Sequence, residues 1–295
     1  MQRRPLLAPV FLDYTQEELD RAYDQSVWAP QMAALEAANG VASAEVRQRL
    51  PPRTERFGPS DTDLIDIFAP PDARPGTQGV PVLVFLHGGA WTRNSRQDAS
   101  FPAPTLVGRG AAYLTPDFGS LKTVRLPEMI ETCRRALEWT ARNAASFGGD
   151  STRVFLAGHS AGAHLASCVL ITEWTKRGLP ADAIKGALLL SGMYDLHPVR
   201  LSSRRKFLDI TPEEEAAASA MRHLDRIACP VAIASADRDS PEFKRQSNVF
   251  ADALQGMGKL ASRTIAVDAN HFEENDRLGD PDSEISRALF ALMRI

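Results

Sequence analysis

The chain has 295 residues, of which 44% are hydrophobic and 24% are charged, close to the averages of globular proteins. These proportions exclude a disordered or fibrous chain, and the length fits one large α/β domain with an extension. The 34 basic and 37 acidic side chains give a net charge of -3, which supplies no positive field for nucleic acid.

Hydrophobic patterns and turn residues predict the secondary structure in chain order. Residues 15–40 are predicted to be helical, because Thr15 and Glu18 fit a capping box and apolar residues follow at helical spacing. After Pro51 and Pro52, short apolar strands alternate with helices. The predicted strands are 63–68, 80–86, 111–114, 154–157, 187–190, 231–234 and 264–267, and the predicted helices are 127–147, 161–175, 241–254 and 282–293.

This alternation is typical of an α/β fold with a mainly parallel central sheet and helices on both faces. We predict two parts of the chain. Residues 1–50 would form an N-terminal helical extension that covers the active site, and residues 51–295 would form the catalytic domain.

A nucleophile motif follows the strand at 154–157. Its residues are Gly158-His159-Ser160-Ala161-Gly162, which match G-x-S-x-G between a predicted strand and a predicted helix. The serine of this motif lies on a sharp, strained turn, where flanking side chains would clash with neighbouring backbone. A plain Gly/Ser turn that caps a helix is the alternative. The strand before it and the helix after it favour Ser160 as a nucleophile.

A second glycine motif follows the strand at 80–86. The residues His87-Gly88-Gly89-Ala90-Trp91 match the HGG-type oxyanion motif. Adjacent glycines let backbone approach a substrate closely, so the N–H groups of Gly88, Gly89 and Ala161 are predicted to bind the oxyanion of a tetrahedral intermediate. A tight loop with positive φ would explain the glycines but not their pairing with the serine motif.

A serine nucleophile needs a histidine base, which in this arrangement follows both the serine and the acid in the chain. Beyond the helix that follows Ser160, the histidines are His197, His223 and His271. His197 precedes a proline, and His223 falls in a predicted helix. His271 lies in a predicted loop after the strand at 264–267, so we predict that it is the base.

Two carboxylates, Asp237 and Asp239, follow the strand at 231–234. One of them is needed, because a carboxylate accepts the histidine N–H, fixes the tautomer and stabilises the imidazolium. Spacing alone does not choose between them. The other aspartate is expected to pair with Arg238 or to cap the helix that begins at Ser240-Pro241.

Neither a metal nor an organic cofactor is predicted. His159 and His164 are five residues apart, about 140° around a helix, so they do not share a face. The residues around His271 lack the H-E-x-x-H order, and the chain has neither a G-x-G-x-x-G nor a Walker motif.

The three cysteines are odd in number and widely spaced, which excludes a disulfide framework and a CxxC pair. No stretch approaches about 18 uninterrupted apolar residues, and the basic start lacks a long apolar run, so neither a transmembrane helix nor a signal peptide is predicted. We therefore expect a cytoplasmic protein that takes a small-molecule substrate and binds neither nucleic acid nor a membrane. The sequence leaves the oligomeric state open, with a homodimer as one alternative.

Together these motifs resemble the α/β-hydrolases of the HGG-oxyanion type, and more narrowly the arylformamidase (kynurenine formamidase) and carboxylesterase group. The resemblance runs from about Asp63 to the C-terminus and includes residues 143–150 and 191–196. Its most specific part is residues 239–247, which are similar to a D-S-P-E-F-x-R-Q-S stretch whose first aspartate is the triad acid. The resemblance implies the α/β-hydrolase fold and selects Asp239 as the acid beside Ser160 and His271.

Two positions depart from the pattern of that group. Ala163 stands where a second glycine is common, and residues 117–121 differ from the expected N-Y-x-L-like stretch. Phe118 is therefore expected to alter the substrate pocket. Trp91 and Tyr194 are bulky enough to close the acyl side beside Ser160, and all three are predicted to bind substrate.

The leading hypothesis is a cofactor-independent serine hydrolase. It would cleave an aryl formamide, such as N-formylkynurenine, or a small carboxylic ester through an acyl-enzyme on Ser160. A general carboxylesterase without a role in tryptophan breakdown is the alternative. A non-catalytic ligand-binding protein of the same fold is a third hypothesis, which the loss of a triad member would favour.

Overall fold

The computed structural model describes residues 8–76 and 79–295, so residues 1–7 of the predicted extension lie outside the described residues. An eight-stranded sheet forms the centre of the protein, in the order β1-β2-β4-β3-β5-β6-β7-β8. β2 is antiparallel to both of its neighbours, and the strands from β4 to β8 are parallel. The strands are β1 (Arg53–Arg56), β2 (Leu64–Phe68), β3 (Val80–Leu86), β4 (Ala112–Pro116), β5 (Gly149–His159), β6 (Ala187–Leu190), β7 (Val231–Ala236) and β8 (Leu260–Ala266).

Helices surround this sheet. They are α1 (Gln16–Ala22), α2 (Gln25–Trp28), α3 (Met32–Arg49), α4 (Ala103–Gly108), α5 (Leu126–Asn143), α6 (Ala161–Leu170), α7 (His197–Leu201), α8 (Pro212–Ala217), α9 (Pro241–Gly256), α10 (His271–Asp276) and α11 (Glu284–Met293). None of these helices is long and apolar enough to cross a membrane.

Successive side chains of the central strands point to opposite faces of the sheet and enter two apolar clusters. Val84 and Leu156 belong to the cluster under α5, α6 and α9. Leu83 and Phe155 belong to the cluster under α4 and α11. Burial on both faces explains why these strands are continuously apolar in the sequence.

The predicted mainly parallel sheet with helices on both faces is confirmed, and each of the seven predicted strands is present. The strand that sequence reasoning missed is β1, whose four residues are all charged or polar. It lies at the edge of the sheet and is mostly exposed. An exposed edge strand has no apolar face, so periodicity could not reveal it.

The predicted end of the N-terminal helical segment at Gly40 was wrong. The capping box of Thr15 and Glu18 starts α1, but α3 continues through Gly40 to Arg49. A glycine inside a helix costs only about 1 kcal/mol, and Val46 anchors the last turns in the second apolar cluster. The helix that follows the serine motif also ends earlier than predicted, at Leu170.

The N-terminal helices pack over the end of the sheet where the predicted site residues lie. Tyr23 Oη donates to Glu242 Oε2 at 3.0 Å, and Gln246 Nε2 donates to Tyr23 Oη at 2.9 Å. Asn39 Nδ2 donates to Asp276 Oδ1 at 2.7 Å. These contacts join the residue that follows α1, and α3, to α9 and α10, while the division into two domains stays a prediction.

Candidate active site

The two glycine motifs meet because β3 and β5 are neighbours. Leu86 pairs with Gly158 in the parallel register, so the residues that follow each strand emerge side by side. The segments after β6, β7 and β8 emerge at the same edge of the sheet. In parallel sheets this carboxyl edge is where ligand sites form.

Ser160 lies on a strained turn between β5 and α6. Its φ of 55° and ψ of -119° fall outside the regions that L-residues ordinarily adopt. Close backbone approach requires the two flanking glycines. A Cβ on Gly158 would lie 2.4 Å from Gly162 O, and a Cβ on Gly162 would lie 1.9 Å from Leu86 O.

The loop after β3 brings two glycine N–H groups beside this serine. A Cβ on Gly88 would lie 3.3 Å from Ser160 Cβ, and Gly89 has a φ of 115°. Within the described chain, no protein acceptor takes the N–H of Gly88 or Gly89. Ala161 is the first residue of α6, so its N–H has no partner inside the helix. Their role as an oxyanion hole stays a prediction.

His271 reaches Ser160 from the segment after β8. Ser160 Oγ lies 2.8 Å from His271 Nε2, and His271 is almost completely buried. The expected loop position was wrong in detail, because His271 begins α10. Asn270 caps this short helix by accepting the N–H groups of Phe272 and Glu273. The cap fixes the backbone from which the imidazole projects.

Asp239 contacts this histidine. His271 Nδ1–H donates to Asp239 Oδ2 at 2.7 Å. Gln25 Nε2 and the N–H of Ser240 donate to the other carboxylate oxygen at 2.9 and 2.6 Å. Burial alone would raise the pKa of Asp239, but His271 and the hydrogen-bond donors, Gln25 and Ser191 among them, outweigh it and lower the pKa. Asp239 is therefore ionised at neutral pH.

Asp237 lies away from the imidazole. It accepts the N–H groups of Asp268 and Ala269 at 3.0 and 3.1 Å, which braces the loop before α10. The two roles expected for the unused aspartate were wrong. Arg238 donates to Asp268 at 2.5 Å, and Ser240 caps α9 with its own side chain.

His159 supports His271 from the other side. Its Nε2–H donates to His271 O at 2.8 Å, and the two rings are 4.7 Å apart. Burial, together with the neighbouring His271, lowers the pKa of His159 to about 3. His159 is therefore neutral at physiological pH and does not compete with His271 for a proton.

Glu274 is a second buried carboxyl group behind the site. Its Oε2 lies 2.5 Å from Ser191 Oγ, while Oε1 has no hydrogen-bond partner in the described chain. Burial raises the pKa of Glu274 well above its ordinary value. Sequence reasoning did not anticipate this buried carboxyl group.

A cavity of about 320 Å³ opens over Ser160 and His271. This volume is within the range of small-molecule sites. One wall comes from the loop after β3. The other lining residues include side chains of the N-terminal helices and of the segment after α7, namely Tyr23, Gln25, Met32, Glu36, Asn39, Arg204 and Phe207. Sequence patterns could not assign these residues, because their place depends on how the helices pack.

The three residues predicted to bind substrate lie behind the cavity wall. Trp91, Phe118 and Tyr194 are buried in the first apolar cluster, and none of them lines the cavity. Trp91 Nε1 donates to His164 Nδ1 at 3.2 Å, and Phe118 stacks on His87 at 4.2 Å. Bulk near a motif does not determine where a side chain points, so these three residues support the site from the core.

The two histidines that were set aside are also away from the cavity. His197 Nδ1 lies 3.3 Å from Glu215 Oε1, and His223 Nε2–H donates to Ala216 O at 3.0 Å. Neither histidine lines the cavity.

Known proteins are similar to this chain in sequence. The BD-FAE family model matches residues 65–188. A kynurenine formamidase of Danio rerio is 29% identical over 95% of this chain and 97% of its own length. Esterase LipQ of Mycobacterium tuberculosis is 29% identical over 68% of this chain and 52% of its own length.

Solved structures agree on the fold. A protein from a Silicibacter species, for which thioesterase activity has been suggested, has a TM-score of 0.79 at 24% identity, over 94% of this chain and 99% of its own. An esterase of Pyrobaculum calidifontis has a TM-score of 0.67 at 18% identity, over 98% of this chain and 99% of its own.

The fold and the arrangement at the carboxyl edge of the sheet define an α/β-hydrolase. Within this class, the chain is similar to the arylformamidase and carboxylesterase group, which confirms the resemblance seen in its motifs. The protein is therefore a hydrolase.

Proposed function

We propose that the protein is a serine hydrolase that cleaves an aryl formamide or a small carboxylic ester through an acyl-enzyme on Ser160. The observation that carries this proposal is the continuous chain of hydrogen bonds from Ser160 through His271 to Asp239, at 2.8 and 2.7 Å. The nucleophile and its base line one cavity, and the group that orients the base contacts His271 from outside the cavity lining.

In the first half of the reaction, Ser160 Oγ attacks the carbonyl carbon of the substrate, and His271 Nε2 takes the proton of the hydroxyl. The N–H groups of Gly88, Gly89 and Ala161 donate to the oxyanion of the tetrahedral intermediate. His271 then gives the proton to the leaving amine or alcohol as the bond to the carbonyl carbon breaks.

In the second half, water attacks the carbonyl carbon of the ester formed with Ser160, and His271 Nε2 accepts a proton from that water. The second tetrahedral intermediate collapses, His271 returns the proton to Ser160 Oγ, and a carboxylic acid leaves. Asp239 stabilises the imidazolium in both halves. His159 Nε2–H holds the carbonyl oxygen of His271 in place. Neither half of the reaction requires a cofactor.

The relatives favour the formamide over a general ester. The kynurenine formamidase from Danio rerio aligns over 95% of this chain, whereas LipQ aligns over 68%. The longer alignment is relevant to the site, because α1 to α3 supply part of the cavity wall and Gln25 binds Asp239. A general carboxylesterase is the second candidate, because some relatives, such as LipQ, are named esterases.

A covalent label tests the mechanism. An aryl fluorophosphonate should add to Ser160, as peptide mass spectrometry would show, and Ser160→Ala should lower kcat by at least about 10³-fold without unfolding the protein. Ser26→Ala is the matched control, because Ser26 also lines the cavity but bonds Asp24 instead of His271. A Ser160→Ala variant within about tenfold of wild type would refute the acyl-enzyme.

A substrate panel tests the acyl group. A formyl group carries only hydrogen on the carbonyl carbon, so a site specialised for it leaves little room for larger acyl groups. N-formylkynurenine should then exceed acetyl and butyryl esters in kcat/KM by at least tenfold, or about 1.4 kcal/mol. If butyryl esters are preferred and the formamide is not cleaved, the carboxylesterase candidate replaces it.

A further inference from the structure

Arg204 is a buried cation without an anionic partner, and it lines the same cavity as Ser160. Its Nε and Nη2 both donate to the carbonyl oxygen of Tyr23, at 3.2 and 2.9 Å. Its third nitrogen, Nη1, has no hydrogen-bond partner in the described chain. The guanidinium therefore retains a free donor group.

Aromatic rings surround the Arg204 guanidinium, and Asp24 and Asp239 attract it only from beyond ion-pair distance. The rings of Tyr23, Trp91 and Phe243 lie 5.8, 5.9 and 5.6 Å from its central carbon. Burial lowers the pKa of Arg204 to about 10, so the group stays protonated at neutral pH. A buried charge is costly unless a counter-charge and hydrogen bonds compensate it.

The other charged groups of the cavity are already engaged. Arg93 pairs with Glu36 at 3.1 Å. Asp98 accepts the N–H and the hydroxyl of Ser95 at 2.9 and 2.8 Å.

Asp24, the remaining acid of the cavity wall, is exposed and caps α2 by accepting the N–H of Ser26. Among the described residues, no carboxylate lies within ion-pair distance of Arg204.

We propose that Arg204 binds a carboxylate on the leaving group of the substrate, so that the enzyme prefers anionic formamides to neutral ones. The carboxylate would pair with the free donor of a buried guanidinium, where a charge-assisted hydrogen bond is strong. The proposal rests on the proposed function. The carbonyl carbon of a formyl group carries only hydrogen besides the leaving amine, so a carboxylate on the substrate must belong to the leaving amine.

The test compares two substrates that differ only in charge. These are N-formylkynurenine and its primary carboxamide, which keep the same aryl formamide and the same α-amino group. Wild type should prefer the carboxylate by at least tenfold in kcat/KM. Arg204→Met should remove this preference, and Arg204→Lys, which keeps the charge but not the planar fork, should retain part of it.

Two control variants make the assignment specific. Arg205→Met changes the next residue, which is exposed and donates to Leu201 O, and it should leave the preference unchanged. Arg93→Met changes the other arginine that lines the cavity, and it should retain most of the preference for the carboxylate substrate. Loss of the preference in Arg93→Met but not in Arg204→Met would overturn the proposal.

The ratio of the two rates separates binding from structure. If Arg204 only holds Tyr23 in place, Arg204→Met will lower both rates equally, and the unchanged ratio would overturn the proposal. Thermal unfolding of each variant shows that the ratio comes from folded protein.

Formanilide and p-nitrophenyl acetate, which are neutral, test the proposed function separately. Turnover of these neutral compounds without any carboxylate preference refutes the Arg204 proposal alone, and failure to cleave any of the four compounds refutes both.

Discussion

Gln25 donates a hydrogen bond from Nε2 to Asp239 Oδ1 at 2.9 Å, although 214 positions separate the two residues in the chain. The contact joins α2 to the carboxylate that orients His271. The same helix region also lines the cavity. The N-terminal helices therefore contribute side chains to the candidate site.

Replacing Gln25 should lower the rate of the chemical step. Gln25→Met keeps the length of the side chain but removes the donor to Asp239. Hydrogen bonds to charged groups contribute about 1.5–3 kcal/mol. If part of this energy stabilises the transition state, its removal should lower kcat by about tenfold. Gln16→Met is the control, because Gln16 donates to Asp20 and to Leu201 O and does not line the cavity. Equal kcat values for wild type and Gln25→Met would show that Asp239 is held adequately without Gln25.

The two aspartates after β7 should differ strongly in their effect. Asp239→Asn should lower kcat by about 10³–10⁴-fold, because the amide no longer fixes the tautomer of His271. Asp237→Asn should change kcat only a few-fold, since Asp237 is exposed and binds backbone N–H groups. The measurement is kcat at saturating substrate for both variants. A larger loss in Asp237→Asn would reverse the assignment.

Local patterns were enough to predict the groups that the fold brings together at the candidate site. Ser160 and Gly88 follow apolar strands, and the spacing of the glycines indicates that the backbone segments after β3 and β5 approach each other closely. The choice of Asp239 needed the family resemblance, because Asp237 and Asp239 follow the same strand at almost the same place. The structure separates them by direction: one side chain points to His271 and the other to the loop before it.

The cavity could not be predicted in the same way. Trp91 and Tyr194 were chosen for their size, yet both point into the core. Arg204 and Gln25 gave no local signal, because a single arginine or glutamine in a polar stretch is ordinarily solvated. Their burial results from the packing of the N-terminal helices on the rest of the chain, which is long-range information.

Gly162, two residues after Ser160, should be indispensable for stability. A Cβ on Gly162 would lie 1.9 Å from Leu86 O, a backbone atom that cannot move without distorting β3. Gly162→Ala should lower the free energy of unfolding by about 3 kcal/mol or more. The control is Gly256→Ala at the end of α9, where a Cβ would meet nothing within 4 Å. Chemical denaturation measures both, and Gly256→Ala should be neutral or slightly stabilising. Equal stability of the two variants would contradict the close approach.

His164 should make the protein sensitive to acid. It is fully buried in α6, where it accepts the N–H of Trp91 and donates to Ala218 O at 3.0 Å. Burial lowers its pKa from 6.5 to about 4 in the folded protein. Because the folded pKa is depressed, the unfolded chain binds the proton more readily, so stability is fully present above pH 6.5 and is lost as the pH falls toward 4. One pKa unit corresponds to about 1.4 kcal/mol, so His164 alone should remove roughly 3 kcal/mol over this window.

His164→Gln isolates this contribution, because glutamine offers both a donor and an acceptor but does not titrate. The free energy of unfolding should be measured by denaturation at pH 7.5 and at pH 4.5 for both proteins. The variant should be less stable than wild type at pH 7.5, where it loses the fitted contacts with Trp91 and Ala218. Between the two pH values it should lose about 2–3 kcal/mol less than wild type does. An equal loss in both proteins would mean that His164 binds its proton equally well in the folded and unfolded chain.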